Sequence, residues 1–117
     1  MALVRLNTPV RVPVPGAKLI EEHCGRVSDR RDDFSVAHMV APAGWSEPPQ
    51  TPTFEEVTIV VRGRLAVESD GVETVVQAGE SIMVGRGTTV RYGNPFPEPC
   101  EYWALCVPAF TVERAGR

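Results

Sequence analysis

Apolar residues recur along the chain in short alternating runs bounded by glycine and proline, and no segment keeps helical spacing beyond two turns. Alternation with period two is the signature of half-buried strands. It predicts nine of them: Val10 to Val14, Ala17 to His23, Phe34 to Val40, Val57 to Val61, Arg64 to Ser69, Val72 to Gln77, Ser81 to Val84, Thr88 to Tyr92 and Glu101 to Val107. Asp70-Gly71 stands between two alternating runs and accepts the positive φ of a tight hairpin, so Arg64 to Ser69 should pair with Val72 to Gln77. Further turns are expected at Ala78-Gly79-Glu80 and Gly85-Arg86-Gly87. Many short strands with tight turns predict an all-β sandwich or barrel.

Composition narrows the class. A chain of 117 residues forms one domain with a single core. With 43% hydrophobic and 23% charged residues it reads as an ordinary globular fold. Its net charge is −3 and its arginines are scattered, leaving no basic stripe, so no nucleic-acid partner is expected. No apolar run is long enough for a membrane span and MALVRLNTPV lacks a leader pattern, so no membrane partner is expected. Cys24, Cys100 and Cys106 form neither a CxxC pair nor an even set, which suits a reducing, cytoplasmic compartment and packed, idle thiols. The polar loop Ser28 to Asp33 reads as a solvated surface. With only His23 and His38 available, a multi-histidine metal site is arithmetically difficult.

Two spaced motifs carry a family resemblance. The first reads Gly44, five residues, Gln50-Thr51-Pro52, three residues, Glu56, six residues, Gly63. The second reads Gly79, five residues, Gly85-Arg86-Gly87, two residues, Val90, three residues, Asn94. Both match without a gap the frames of the small cupins, and the chain resembles that superfamily. The segment CEYWALCVPAF is similar to the ethanolamine-utilisation type within it. The resemblance implies a cupin-type β-barrel, the double-stranded β-helix or jelly roll, as one domain over residues 1–117. Residues 1–33 would give the N-terminal strands and loop, and residues 34–110 the barrel core with both motifs. In the family two histidines and a glutamate of the first motif and a histidine of the second hold a divalent metal. Here those positions are Gln50, Pro52, Glu56 and Val90. Proline and valine carry no side-chain donor, and a carboxamide is a poor ligand for metals that favour imidazole, so no metal and no cofactor are expected. The residual set Glu56, Gln50 and His38 would give at most a weak site, short of a complete ligand sphere.

Alternation places Glu56, Thr58 and Val60 on one strand face and Glu55, Val57, Ile59 and Val61 on the other. In the family the ligand glutamate points inward, which implies that Glu56 lies inside the barrel. By the same parity Tyr92 shares a face with Val90 and Asn94, and Tyr102 with Ala104 and Cys106. The expected interior therefore gathers Glu56, Tyr92 and His38 as candidate catalytic groups. Gln50, Thr58 and Tyr102 are candidate ligand contacts, with Trp45 closing from its loop. A carboxyl walled by apolar groups has a raised pKa, the property of a general acid or base near neutrality. One reading is therefore metal-independent acid/base chemistry, isomerase- or lyase-like, on a small carbonyl or sugar-like substrate. The other is a non-catalytic module that binds a small molecule. Each residue also has a plain structural role open to it: Glu56 bonded to interior hydroxyls, His38 a satisfied strand histidine, Trp45 and Trp103 packing, Asn94 bonding backbone at a turn. A homodimer is expected, because open strand edges invite pairing. Val10 to Val14, flanked by Pro9, Pro13 and Pro15, would either cross to the partner or guard an edge.

Overall fold

The computed structural model describes residues 3–6 and 8–117. Met1, Ala2 and Asn7, in the segment read for a leader, lie outside the described residues. Nine strands follow in order: β1 (Val10–Arg11), β2 (Leu19–Cys24), β3 (Ser35–Ala41), β4 (Glu55–Arg62), β5 (Arg64–Ser69), β6 (Val72–Gln77), β7 (Ser81–Val84), β8 (Arg91–Gly93) and β9 (Cys100–Val107). They form a six-stranded sheet in the order β1-β2-β3-β9-β4-β7 and a three-stranded sheet in the order β6-β5-β8. Every pairing is antiparallel. This is the all-β architecture that the strand pattern predicts, in the jelly-roll form that the resemblance implies. No helix of the described residues is long and apolar enough to cross a membrane.

The two sheets enclose a core of Val60, Leu65, Val67, Val76, Val90, Tyr92, Cys100 and Tyr102. Burying each such side chain stabilises the fold by about 1.5–3 kcal/mol. A second cluster of Phe54, Cys106 and Ala115, with Phe110 against it, fills one end of the barrel. The segment after β9 builds that end by folding back over the barrel. Phe110 N–H donates to Ser35 Oγ at 2.9 Å, and Thr53 N–H donates to the Arg114 carbonyl at 2.8 Å.

Asp70 and Gly71 take φ of 54° and 75° and close the β5–β6 hairpin with Ser69 opposite Val72, as expected. Gly63 turns the chain from the large sheet into the small one. Its φ is +79°, and a Cβ there would run into the Pro99 carbonyl oxygen and stand 3.1 Å from Cys100 Cα. Asn94 is fully buried and ties three chain segments together. Its Nδ2 contacts the carbonyls of Ala41 at 3.1 Å and Glu98 at 2.8 Å, while its Oδ1 accepts from Phe96 N–H at 3.1 Å.

Two strands differ from the sequence pattern. β1 stops at Arg11 because Pro13 and Pro15 have no N–H to give; after it only Val12 N–H reaches across, to the Ile20 carbonyl at 2.9 Å. β1 pairs with β2 of its own chain, at the edge of the large sheet. β8 begins at Arg91 because Val90 pairs instead with Gln50, each backbone N–H donating to the other's carbonyl at 2.9 and 3.0 Å. The loop Ser28 to Asp33 is fastened to the barrel at both ends. Buried Glu22 accepts from the N–H groups of Val27 at 2.9 Å and Ser28 at 2.8 Å, and Asp32 meets Arg114 at 3.0 Å.

Candidate functional site

Strand parity sends one set of side chains into the barrel. β4 contributes Glu56, Thr58 and Val60, β9 contributes Tyr102, Ala104 and Cys106, and β3 contributes Ser35, Ala37 and Met39. Lys18, one residue before β2 and in phase with Ile20 and Glu22, enters from the side. The space left among them is a narrow inner cavity of about 40 Å³. Outside it lies a wider vestibule of about 360 Å³ between Val14-Pro15 and the Trp45 to Gln50 loop. Lys18, Ile20, Glu47, Gln50 and Arg117 line both spaces and so form the neck between them. The inner cavity has room for a little water, whereas the vestibule has the size of a small-molecule site.

Glu56 stands at the floor. Its exposed edge faces the cavity, not bulk water, and burial pushes its carboxyl up to about 7. The Tyr92 hydroxyl donates to Glu56 Oε1 at 3.0 Å and opposes part of that rise by favouring the carboxylate. The Tyr92 and Tyr102 phenols are both pushed upward, first by burial and then by nearby carboxylates, so both remain neutral donors. Lys18 is the other displaced group. Its Nζ lies 3.8 Å from the centre of the Trp45 ring and 5.1 Å from that of Tyr102. Burial brings its amine down to about 8, although Glu47 and Glu56 pull the other way. Among the described residues no carboxylate lies within ion-pair distance of it.

Across the neck, Arg117 NH2 meets Glu47 Oε2 at 3.1 Å, and Arg117 Nε donates to Gln50 Oε1 at 3.1 Å. Gln50 Nε2 in turn donates to Glu47 Oε1 at 2.9 Å. Burial raises the Glu47 carboxyl, while Lys18 and Arg117 oppose it.

The structure brings together Glu56, Tyr92, Tyr102 and Gln50 from the sequence-based set, with Trp45 flanking the vestibule. Thr58 points inward and is fully buried but does not line the cavity, and its Oγ1 has no hydrogen-bond partner. His38 is the correction. Ser35, Ala37 and Met39 are the inward residues of β3, so alternation turns His38 to the outer sheet face. There its Nε2 lies 2.7 Å from Glu101 Oε2 and its ring packs 5.0 Å from Trp103. Trp103 also packs against His23, the rings tilted with centres 5.1 Å apart. Lys18, Glu47 and Arg117 complete the site and are absent from that set. Lys18 carries a sequence signal, being the single lysine among twelve basic residues. Arg117 reaches the neck through the returning C-terminal segment and has no local signal.

The donors at the family's metal positions do not fit a metal. Pro52 and Val90 are buried without a donor atom, and Gln50 is engaged by Glu47 and Arg117. Among the described residues no group of three or more His, Cys, Asp or Glu side chains is arranged to hold one. The three cysteines are buried, and burial pushes the thiols up, Cys100 to about 11, so they are not activated nucleophiles.

Comparison with known proteins gives three levels of similarity. A family model described as Cupin domain matches residues 37–108. A curated protein of Myxococcus xanthus, endoribonuclease YbeY, is 44% identical over 112 residues, which is 96% of this chain. The chain spans only 38% of that relative's length. Among solved structures, ethanolamine utilization protein Q of Salmonella typhimurium is 18% identical with a TM-score of 0.68, covering 82% of this chain and 73% of that one. The polyketide cyclase RemF of Streptomyces resistomycificus is 17% identical with a TM-score of 0.72, covering 98% and 89% respectively. At these identities the two solved structures speak for the fold alone.

Proposed function

The chain belongs to the cupin domain family, and on that premise we propose that it acts on a small carbonyl or sugar-like compound by proton transfer at Glu56 and Tyr92, without a metal. One observation carries the reading. A carboxyl raised to about 7 and hydrogen-bonded to a neutral phenol stands at the floor of a cavity whose neck opens into a 360 Å³ vestibule. Near neutral pH such a carboxyl is divided between its two forms, so it can both take and return a proton. Tyr92 holds the acceptor oxygen in place, and Tyr102, Gln50 and Trp45 offer ligand contacts along the route. The cyclase among the similar structures fits a barrel of this shape supporting chemistry, although fold alone does not assign it.

The test is solvent exchange. The protein is incubated in D₂O with a panel of 2-oxo acids, aldoses and uronates, and deuterium at the position next to the carbonyl is followed by NMR. Wild type should exchange at least one member of the panel, and Glu56→Gln should lose that exchange. Equal exchange by both proteins would end the acid/base reading.

A second reading is favoured by a separate observation. The chain corresponds to 38% of the length of a protein named for endoribonuclease activity, as an attached module would. On that reading the pocket binds a small molecule and transforms nothing. A ligand-induced thermal shift with neither product nor exchange would select it.

The proposed macromolecular partner is a second copy of the chain. The outer face of the large sheet leaves Ile59 43%, Val61 50% and Met83 64% exposed, beside Trp103 and Val107, an apolar surface suited to sheet-on-sheet packing.

A further inference from the structure

We propose that Lys18 is a covalent nucleophile, its amine condensing with the carbonyl carbon of a small aldehyde or ketone in the vestibule to form an imine. The inference rests on the carbonyl reading above and adds the step that would make proton transfer easy.

Four observations converge on this residue. The chain carries eleven arginines and one lysine, and that lysine stands at the neck of the cavity. Arginine stays protonated and is not a nucleophile, so Lys18 is the chain's one side-chain amine. Its Nζ lies over the Trp45 and Tyr102 rings, at 3.8 and 5.1 Å, which favours the ammonium, but among the described residues no carboxylate lies within ion-pair distance to add to that. It borders both the vestibule, where a substrate fits, and the inner cavity, where Glu56 and Tyr92 stand. Burial brings the amine to about 8, so about a tenth of it is neutral at pH 7. An ordinary lysine offers far less than a hundredth.

The step balances without an oxidant or reductant. The nitrogen lone pair attacks the carbonyl carbon, the C–N bond forms, and the C=O π pair moves onto oxygen, which takes a proton from the Glu56 carboxyl. The Glu56 carboxylate then accepts a proton from nitrogen, giving a neutral carbinolamine. That proton next passes to the hydroxyl, the C–O bond breaks, and water leaves as nitrogen forms C=N. The protonated imine draws electrons from the neighbouring C–H bond, and the Glu56 carboxylate, now free, is the base that faces it. The inner cavity of about 40 Å³ has room for the released water.

The test uses glyoxylate with sodium cyanoborohydride, which reduces an imine to a stable amine, followed by intact mass and peptide mapping. In a protein expressed with this sequence alone, the terminal α-amine is the one other amine available. We expect a single adduct on Lys18 at pH 7, forming about ten-fold faster or more in the folded protein than in urea. Lys18→Arg should leave labelling at the α-amine alone, and Glu56→Gln should slow labelling of Lys18. Labelling confined to the α-amine of wild type, or Lys18 labelled no faster when folded than in urea, would overturn the proposal. These outcomes need only wild-type protein, so a variant that fails to fold does not rescue the idea. The two readings separate cleanly. Deuterium exchange lost in Glu56→Gln but kept in Lys18→Arg would sink the imine and leave the acid/base centre standing. Trapping at Lys18 with no exchange in any protein would do the reverse.

Discussion

Glu56 should cost the fold stability at neutral pH, and the cost can be measured against Glu56→Gln. The unfolded carboxyl titrates at 4.5 and the folded one at about 7. Because the folded pKa is the higher, the native state binds the proton more tightly. The group's contribution is fully present below pH 4.5 and is lost as pH rises through 7. A rise from 4.5 to about 7 corresponds to about 3 kcal/mol at about 1.4 kcal/mol per pH unit. The carboxyl's partial exposure to the cavity allows screening of part of it, leaving roughly 2–3 kcal/mol. Glutamine keeps the oxygen that accepts from Tyr92 and removes the charge. Glu56→Gln should therefore match wild type near pH 4.5 and exceed it by about 2–3 kcal/mol at pH 8. Lys18 and Glu47 also titrate, but both are present in the two proteins. Lys18's attraction for Glu56 is already contained in the folded value. Urea unfolding followed by Trp fluorescence at half-unit pH steps gives the difference curve. A difference that stays flat from pH 4.5 to 8, or that favours wild type at pH 8, would refute a desolvated carboxyl at the cavity floor.

Other outcomes follow from the same geometry. Gly63→Ala combines a φ of +79° with a collision against the Pro99 carbonyl and should cost more than about 3 kcal/mol or prevent folding. Gly79→Ala, at φ +86° with nothing within 4 Å, should cost only about 1 kcal/mol in the same urea assay; equal losses would contradict the close approach. Tyr92→Phe removes the bond that favours the Glu56 carboxylate, so the Glu56 titration should move upward by ¹³C NMR, and a downward or absent shift would contradict the pairing. Ile59→Asp with Met83→Asp should convert a dimer to monomer by light scattering at micromolar concentration; a monomeric wild type would remove the proposed interface.

The strand pattern carried most of the fold because each boundary had local chemistry behind it. Asp70-Gly71 names the β5–β6 turn, and the prolines after Val12 explain why β1 is cut short. The interior was harder, and β3 shows why. Its outward residues Val36 and Val40 are as apolar as its inward residues Ala37 and Met39, and the inward Ser35 is polar. Alternation then has no polar side to mark water, and His38 could be assigned to either face. Glu56 escaped this ambiguity because the family resemblance implied its inward position. Thr58 followed the correct parity but stands behind the cavity wall. Arg117 reaches the neck from a segment distant in sequence, a tertiary closure that no local period encodes.

The fold also separates the cupin frame from cupin chemistry. Gly44, Gly63, Gly79 and Gly87 have φ between 75° and 86°, and Asn94 spends its amide on backbone groups. These residues serve the path of the chain, so the barrel forms whatever occupies the ligand positions. Gln50 and Val90 even pair through their backbones, which leaves their side chains free to change. At the second-motif histidine position stands buried Val90, whose side chain carries no polar atom. A carboxyl in such a place shifts toward its neutral acid, and an amine in the same surroundings shifts toward its neutral base. Glu56 near 7 and Lys18 near 8 are displaced in these two directions by the same burial, toward the range where a proton can move between them and a substrate at little cost. With Pro52 and Val90 at the family's metal positions, the interior around Glu56 and Lys18 suits the proton-transferring, amine-bearing site proposed above.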